Sequence, residues 1–380
     1  MAYYPDWVAD TFPPERIDFA RFDWIDFAFA VPNANFGLGW DGSDTAPDLL
    51  RRLVTAAHRL GKKVKLSVGG WTGSKYFSQA VANDQNRHTF VTNIVALYNQ
   101  FGIDGIDIDW EYPGQPGNTG NVVSPADTAN YFSFLTLLRA SLPPAAKITA
   151  AVQTVPFADA NGNPLTDASQ FASVLDWVLL MNYDVWGSSS APGPNAPLSN
   201  ACHNSTQPTA SADAAVRAWT AAGFPRSKLV LGVPSYGYVQ RSGATRLRQR
   251  QAPDDSDAQA PSDDSTRAVT VLSDEGTADS GQVQFRDLVR QGALCAVAGA
   301  PGAYAGCGGF TRVWDACSST PFLRSPAAGQ VVTYDDAQSL GAKAQFVRAN
   351  GVLGVNMFDV HGDTDRWDLV DALRKGLGLM

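Results

Sequence analysis

Residues 104–111 read Asp-Gly-Ile-Asp-Ile-Asp-Trp-Glu, four acids in eight positions, three of them at two-residue spacing. Side chains alternate sides along a β-strand, so Asp107, Asp109 and Glu111 project from one face and Ile106, Ile108 and Trp110 from the other. Asp104 has the other parity and is expected at the strand entrance. Residues two apart on a strand lie roughly 6–7 Å from each other. Carboxylates crowded in this way do not all ionise at their ordinary pKa, and at least one is expected to hold a proton near neutral pH. A protonated carboxyl beside ionised ones is what acid–base catalysis requires. Two plainer uses fit less well. A solvated acidic face would not carry isoleucines and a tryptophan between its acids. A divalent cation takes carboxylate oxygens, but a helix–loop–helix calcium site spreads its ligands over a glycine-containing loop without alternating apolar partners.

The elements that would position such a row are those of a large globular protein. The chain has 380 residues, 44% apolar and 17% charged, and a net charge of −8. That charge argues against nucleic acid, whose phosphates select a basic surface. No run of about 18 apolar residues offers a membrane span. Met1 leads directly into Ala2-Tyr3-Tyr4-Pro5 with no signal-peptide pattern, as a mature secreted chain with an added start residue would, and as a cytosolic protein would too. Cys202, Cys295, Cys307 and Cys317 allow three pairings, and their spacings match no zinc motif. The even cysteine count and the acceptor triplet Asn204-Ser205-Thr206 lean towards secretion. Neither a metal nor a cofactor is called for, and a monomer is expected.

Eight short apolar runs read as strands: Ala2–Pro5, Trp24–Phe29, Val64–Val68, Gly105–Trp110, Ile148–Val152, Trp177–Met181, Leu229–Val233 and Leu353–Met357. Amphipathic stretches at Pro47–Leu60, Asn86–Phe101, Ala126–Leu142 and Asp213–Ala222 alternate with them. Eight such units predict an α/β fold, a (β/α)8 TIM barrel with its chemistry at the strand C-termini. A doubly wound open sheet lacks the glycine-rich phosphate loop it would carry. Polar and aromatic residues collect where the barrel would use them: Phe29 ends the second run, Ser67, Gly69, Gly70 and Trp71 the third, Glu111 and Tyr112 the fourth. Gln153 ends the fifth, Tyr183 and Asp184 the sixth, Tyr236 the seventh, and Phe358 and Asp359 the eighth.

The spacing breaks after the seventh run, where nearly a hundred residues precede the final helix and strand (Asp335–Phe346, then Leu353). That is too long for a loop in a compact domain. Short strands are predicted at Val269–Leu272, Gln282–Phe285 and Phe310–Asp315, and Gln249–Thr266 reads as a flexible excursion. The domain organisation expected is therefore a barrel of residues 1–237 and 333–380, with a small α+β insertion domain, 238–332, between strand 7 and helix 7.

These residues resemble the family 18 glycoside hydrolases, the chitinases. The family signature D-x-x-D-x-D-x-E is met by Asp104, Asp107, Asp109 and Glu111. S-x-G-G appears as Ser67-Val68-Gly69-Gly70, and M-x-Y-D as Met181-Asn182-Tyr183-Asp184. The opening Tyr3-Tyr4-Pro5-Asp6-Trp7 and the seventh-strand Gly232-Val233-Pro234-Ser235-Tyr236-Gly237 are similar too. The inserted segment resembles the family's chitinase insertion domain, and the overall wording is closest to fungal chitinases.

The resemblance implies hydrolysis of β-1,4-linked N-acetylglucosamine polymers with retention, the substrate's own 2-acetamido oxygen acting as nucleophile. Glu111 would be the general acid and then base. Asp109 would orient the acetamido N–H and stabilise the cationic intermediate, Asp107 would back it, and Tyr183 would hold the acetamido oxygen in line. Ser67 would hydrogen-bond the aspartate pair, Gly70 would permit close backbone approach, and Asp104 would be structural. Tyr4 and Asp184 are either core hydrogen-bonders or contacts in the subsite before the cleaved bond. The implied sugar-binding set further includes Phe29, Trp71, Trp110, Tyr112, Gln153, Met181, Trp186, Tyr236, Trp314 and Phe358, since sugar rings stack on aromatic planes. Trp24, Trp177 and Trp219 belong to strand or helix patterns and are expected in the core. Phe358 stands where the family usually has a tryptophan, with less ring area and no N–H donor. Two other readings share the fourth-strand motif: an endo-N-acetylglucosaminidase acting on N-glycans, and a non-catalytic lectin. The first often lacks the insertion and M-x-Y-D, and the second typically lacks the acid that Glu111 supplies.

Overall fold

In parallel β/α proteins the strands are covered on both faces and so read as nearly continuous apolar runs. The computed structural model, which describes residues 1–187, 189–247, 268–273 and 281–380, turns each of the eight runs into a strand. They are β1 (Ala2–Pro5), β2 (Trp24–Pro32), β3 (Lys63–Gly69), β4 (Gly105–Asp109), β5 (Lys147–Val152), β6 (Trp177–Leu180), β7 (Leu229–Pro234) and β8 (Gly354–Phe358). The sheet runs β1-β8-β7-β6-β5-β4-β3-β2 and closes through parallel β1–β2 pairing, which makes a (β/α)8 TIM barrel. A ninth short strand, Leu38–Trp40, pairs antiparallel with the end of β2.

The covering helices follow from their sequences. Helix Ala46–Arg59 buries Ala46, Leu49, Leu50, Leu53, Val54 and Ala57, one stripe at three- and four-residue spacing. Helix Asp84–Phe101 starts where the Asn83 side chain accepts the Asn86 N–H, and it stops at Gly102, whose left-handed φ of 61° suits a residue without a Cβ. Helix Asp127–Ser141 turns Tyr131, Phe134, Leu135 and Leu138 inward.

By its internal packing the chain forms two compact units. One comprises Met1–Met181, Val216–Leu231 and Gly351–Asn356; the other comprises Asn182–Ala215, Gly232–Asn350 and Met357–Met380. The first holds an aromatic layer outside β4, in which Trp110 stacks on Phe77 with centroids 5.3 Å apart and meets the edge of Tyr131 at 5.5 Å. The second contains a five-stranded antiparallel sheet in the order Gln282–Gln284, Tyr236–Arg241, Gln330–Thr333, Thr320–Ser325, Thr311–Asp315, and a ribbon of Leu294–Ala296 with Tyr304–Gly306. Its disulfides join Cys202 to Cys317 and Cys295 to Cys307. The strand expected at Val269–Leu272 does not form. Its backbone is held instead by the Gln330 side-chain amide, which accepts from Val271 N–H and donates to Val271 C=O, each at 2.9 Å. The segment Gln249–Thr266 lies outside the described residues.

Asp6, immediately after β1, is 1% exposed, and neither of its oxygens has a well-formed hydrogen-bond partner. Burial pushes its carboxyl up to about 7, outweighing nearby backbone N–H groups, and the charge of Asp41 adds to the rise. A carboxyl raised in the folded state contributes stability that is present below its unfolded value of about 4 and is lost as pH rises through about 7. Asp6→Asn is therefore expected to flatten the fall in Tm between pH 4 and 8. Parallel wild-type and variant Tm–pH curves would contradict the assignment.

Candidate active site

β4 carries the acid row, and its neighbours decide what each acid can do. Asp104, at the strand entrance, accepts hydrogen bonds from Lys63 Nζ at 2.7 Å and Val64 N–H at 3.0 Å, and lies 2.8 Å from His58 Nε2. Partial burial pushes its pKa up, but these hydrogen bonds prevail and hold it below the usual carboxylate value. These bonds clamp the strand entrance.

Asp107 is 1% exposed and sits in register between Ser67 on β3 and Thr149 on β5. Tyr3 Oη and Ser67 Oγ donate to its Oδ2 at 2.9 and 2.8 Å, and Thr149 Oγ1 donates to Oδ1 at 2.5 Å. Hydrogen bonds to a charged acceptor are worth about 1.5–3 kcal/mol each, so three of them offset much of the cost of burial. Asp109, 4% exposed, has no such set: its Oδ1 is buried without a partner. Burial, then the charges of Glu111, Asp107 and Asp26, hold the Asp109 carboxyl well above the ordinary range. The row thus contains an aspartate saturated with donors beside one whose carboxyl burial and neighbouring charges push up.

Glu111 is half-buried just past the end of β4. Its N–H donates to Ser74 Oγ at 2.8 Å, and the Ser74 hydroxyl in turn donates to Gly70 C=O at 2.8 Å. Its carbonyl accepts from Asn121 Nδ2 at 3.0 Å. Glycine is required at two points here. A Cβ on Gly69, where φ is 120°, would stand 2.1 Å from the Asp109 carbonyl oxygen, and one on Gly117 would stand 1.9 Å from that of Glu111. Gly70 faces the Phe29 ring with similarly little room, 3.0 Å from its missing Cβ.

Around the acids, Phe29 stacks on Trp7 with centroids 6.1 Å apart, and Trp7 and Trp71 are 46% and 43% exposed. Tyr112 and Gln153 line a shallow recess together with Trp110, Pro113, Gln115, Val155 and Phe157. Met181, half-buried, continues from β6 and donates its N–H to Val152 C=O.

Two expectations are corrected in this unit. Tyr4 is fully buried, its hydroxyl donating to Phe12 C=O at 3.0 Å, so it is a core hydrogen-bonder. Trp110, 3% exposed, stacks on Phe77 in the aromatic layer as its parity dictates, so it serves chiefly as packing although it also borders the recess lined by Tyr112 and Gln153. Tyr3, Thr149, Ser74 and Trp7 were not singled out from the sequence. The partner register of Asp107 could have identified Thr149. Nothing in residue type or spacing marks Ser74.

The second unit builds its own polar cluster after β6 and β7. Asp184, with a left-handed φ of 59°, accepts on Oδ1 from Tyr236 Oη at 2.6 Å and Tyr238 Oη at 2.7 Å. Its N–H donates to Asn195 Oδ1 at 2.9 Å, and Asn195 Nδ2 reaches Tyr236 C=O at 3.2 Å. Burial, then the Asp184 charge, push the Tyr236 hydroxyl well above its ordinary value. The ring of Tyr183 lies 6.2 Å from that of Tyr236 and 6.3 Å from that of Phe358. Trp186 lies against Gly193, where a Cβ would fall 2.3 Å from the indole. Trp314 is half-buried on strand Thr311–Asp315, with the Arg312 guanidinium 5.7 Å from its ring centroid.

Comparison with known proteins agrees with this construction. The sequence model of the glycosyl hydrolases family 18 matches residues 1–363. A chitinase-like effector of Moniliophthora roreri is 38% identical over 390 residues, spanning 99% of this chain and 92% of that protein. Chitinase A1 of Niallia circulans is 29% identical over 313 residues, 80% of this chain and 41% of that protein. The crystal structure of a chitinase from Rhizomucor miehei matches with a TM-score of 0.82 and 33% identity, covering 99% of both chains. With the match running through the barrel and the acid row at the exit of its fourth strand, the chain belongs to family 18 of the glycosyl hydrolases and is a glycoside hydrolase.

Proposed function

We propose that this protein is a chitinase that hydrolyses β-1,4-glycosidic bonds of chitin and chito-oligosaccharides with retention, by substrate-assisted catalysis. The observation that carries the reading is the half-buried Glu111 at the exit of β4, beside the buried Asp109, whose carboxyl is held well above the ordinary range by burial and then by the charges of Glu111, Asp107 and Asp26. A carboxyl buried in this way is a poor nucleophile, which favours attack by the substrate's 2-acetamido oxygen over a covalent carboxylate intermediate. Glu111 protonates the leaving oxygen and then, as base, activates the water that opens the oxazolinium ion. Asp109 orients the acetamido N–H, Asp107 backs Asp109, and the Tyr183 hydroxyl donates to the acetamido oxygen. Trp71, Tyr112, Gln153, Trp186, Tyr236, Trp314 and Phe358 contribute to sugar binding, with Phe29, Ser67, Gly70, Met181 and Asp184 shaping or supporting the subsites. Residues 238–332 act as an insertion domain that deepens the groove. The two disulfides fit a secreted protein working as a monomer on an extracellular polymer.

A second reading is a chitin-binding protein without turnover, because the Moniliophthora roreri relative is named chitinase-like. The acid such a protein would dispense with is present here as Glu111, which favours hydrolysis. Incubation with N-acetylglucosamine hexamer, following product lengths and anomers, separates the two: β-anomeric products are expected, and binding without cleavage would establish the second reading.

Glu111→Gln is expected to lower hydrolysis by roughly 10²–10⁴-fold, the usual contribution of a general acid–base group, while leaving oligosaccharide affinity largely intact. Undiminished activity in that variant would sink the mechanism. Substrates deacetylated at the sugar before the cleaved bond should resist cleavage, and rapid hydrolysis of fully deacetylated chitosan would rule out acetamido participation.

A further inference from the structure

Inside the barrel, directly beneath the acid row, lies a lysine that the reaction outlined above does not use. Lys65, on β3, is 1% exposed. Its Nζ donates to Thr149 Oγ1 at 2.7 Å and lies 3.2 Å from Asp26 Oδ1 and 3.9 Å from Asp107 Oδ1. The Trp177 ring, 4.7 Å away, covers it. Asp26, on β2 and fully buried, accepts on its other oxygen from Asn356 Nδ2 at 2.7 Å. A buried ammonium with two carboxylates around it is expensive unless it balances charge that must be there. We propose that Lys65 is a positioning residue for the reaction: through Thr149 it fixes Asp107 as an anionic acceptor and thereby confines the proton of the aspartate pair to Asp109.

The argument rests on the direction of the hydrogen bonds. An ammonium has donors only, so Thr149 Oγ1 must accept from Lys65. Thr149 Oγ1 in turn donates its hydroxyl hydrogen to Asp107 Oδ1 at 2.5 Å, so the two bonds run in series from the ammonium to the carboxylate. Tyr3 and Ser67 donate to the other oxygen of Asp107. The ammonium charge, 3.9 Å from Asp107 Oδ1, favours an anion over a carboxylic acid at that oxygen. Asp109, with Oδ1 unpartnered, has no donor set to favour its anion. The groups facing this network are Tyr3 from β1, Asp26 from β2, Asp109 and Glu111 from the β4 chain, and Tyr131 from helix Asp127–Ser141, whose hydroxyl burial and the two aspartates hold well above its ordinary value. Lys65 is the cation among them. Without it the proton would be free to move to Asp107, placing the pair's negative charge on Asp109 next to Glu111 and altering the acid that Glu111 can be.

The test rests on the chitinase reading for its kinetic arm only. Lys65→Met strands Asp26 without a counter-charge, so Asp26→Asn/Lys65→Met, which removes both charges, is the companion variant, and Thr149→Val breaks the relay alone. On N-acetylglucosamine hexamer, Thr149→Val and the double variant are expected to lower kcat by roughly tenfold, with KM changed less than about threefold and the limbs of the kcat–pH profile displaced. A purely structural lysine would lower Tm and leave the profile in place, and an unmoved profile overturns the proposal. Infrared difference spectra decide the proton's place whether or not the sugar is cleaved. At neutral pH, Asp109→Asn should remove a protonated-carboxyl band that Asp107→Asn leaves. In the Asp26→Asn/Lys65→Met background, Asp107→Asn should now remove band intensity. Loss of the wild-type band in Asp107→Asn, or an unchanged assignment in the double background, overturns the role given to Lys65. Failure of wild-type hydrolysis with the expected spectra would instead strike the chitinase reading alone.

Discussion

A carboxylate with almost no solvent exposure inside a barrel is tolerable only if its lone pairs find donors, and the placement of Asp107 sets that demand. The donors come from three different strands: Tyr3 on β1, Ser67 on β3 and Thr149 on β5. No local segment could supply them. They meet only because the sheet closes, with β3 and β5 in register on either side of Asp107 and β1 returned to β2. Closure therefore does more than bury apolar surface. It brings three hydroxyl donors to Asp107, while Asp109, two residues along the strand, is raised by burial and then by the charges of Glu111, Asp107 and Asp26.

The backbone beyond β4 is built to the same tolerance. Glu111 must leave the strand while its peptide groups remain satisfied. Ser74 and Asn121 take its N–H and C=O, and the missing side chains of Gly69 and Gly117 leave room for the carbonyls of Asp109 and Glu111. A side chain at either glycine would push on the main chain that carries the acid.

The legibility of these features in the sequence follows how local each is. The acid row was readable because strand parity is a property of consecutive residues, and the same parity already assigned Trp110 to the outer face, where the structure puts it. Eight apolar runs sufficed for the barrel, although β2 and β3 extend past their apolar centres into Pro32, Lys63 and Gly69, where composition falls silent and hydrogen bonding continues. Choosing Tyr4 over Tyr3 shows the limit. Adjacent tyrosines on one strand point to opposite faces, and only the partner strand reveals which face holds Asp107. Lys65 and Thr149 look like a stray charge and a stray hydroxyl in apolar runs until register brings them together. The strand read at Val269–Leu272 failed because β propensity cannot anticipate a glutamine side chain taking the place of a neighbouring strand.

The second unit handles charge differently. Asp184 adopts a left-handed backbone that a non-glycine residue seldom takes, and two tyrosine hydroxyls and an asparagine over-determine its place. Donation to Asp184 orients the hydroxyl of Tyr236 and raises the cost of ionising it. Its ring is thus fixed edge-on to those of Tyr183 and Phe358. Asp184 is consequently a scaffold for an aromatic surface that includes Phe358, whose phenyl ring has no N–H to donate. The polar groups of this cluster are the hydroxyls of Tyr236 and Tyr238 and the carboxylate they hold, whereas Asp107 in the first unit is held by hydroxyls from three separate strands.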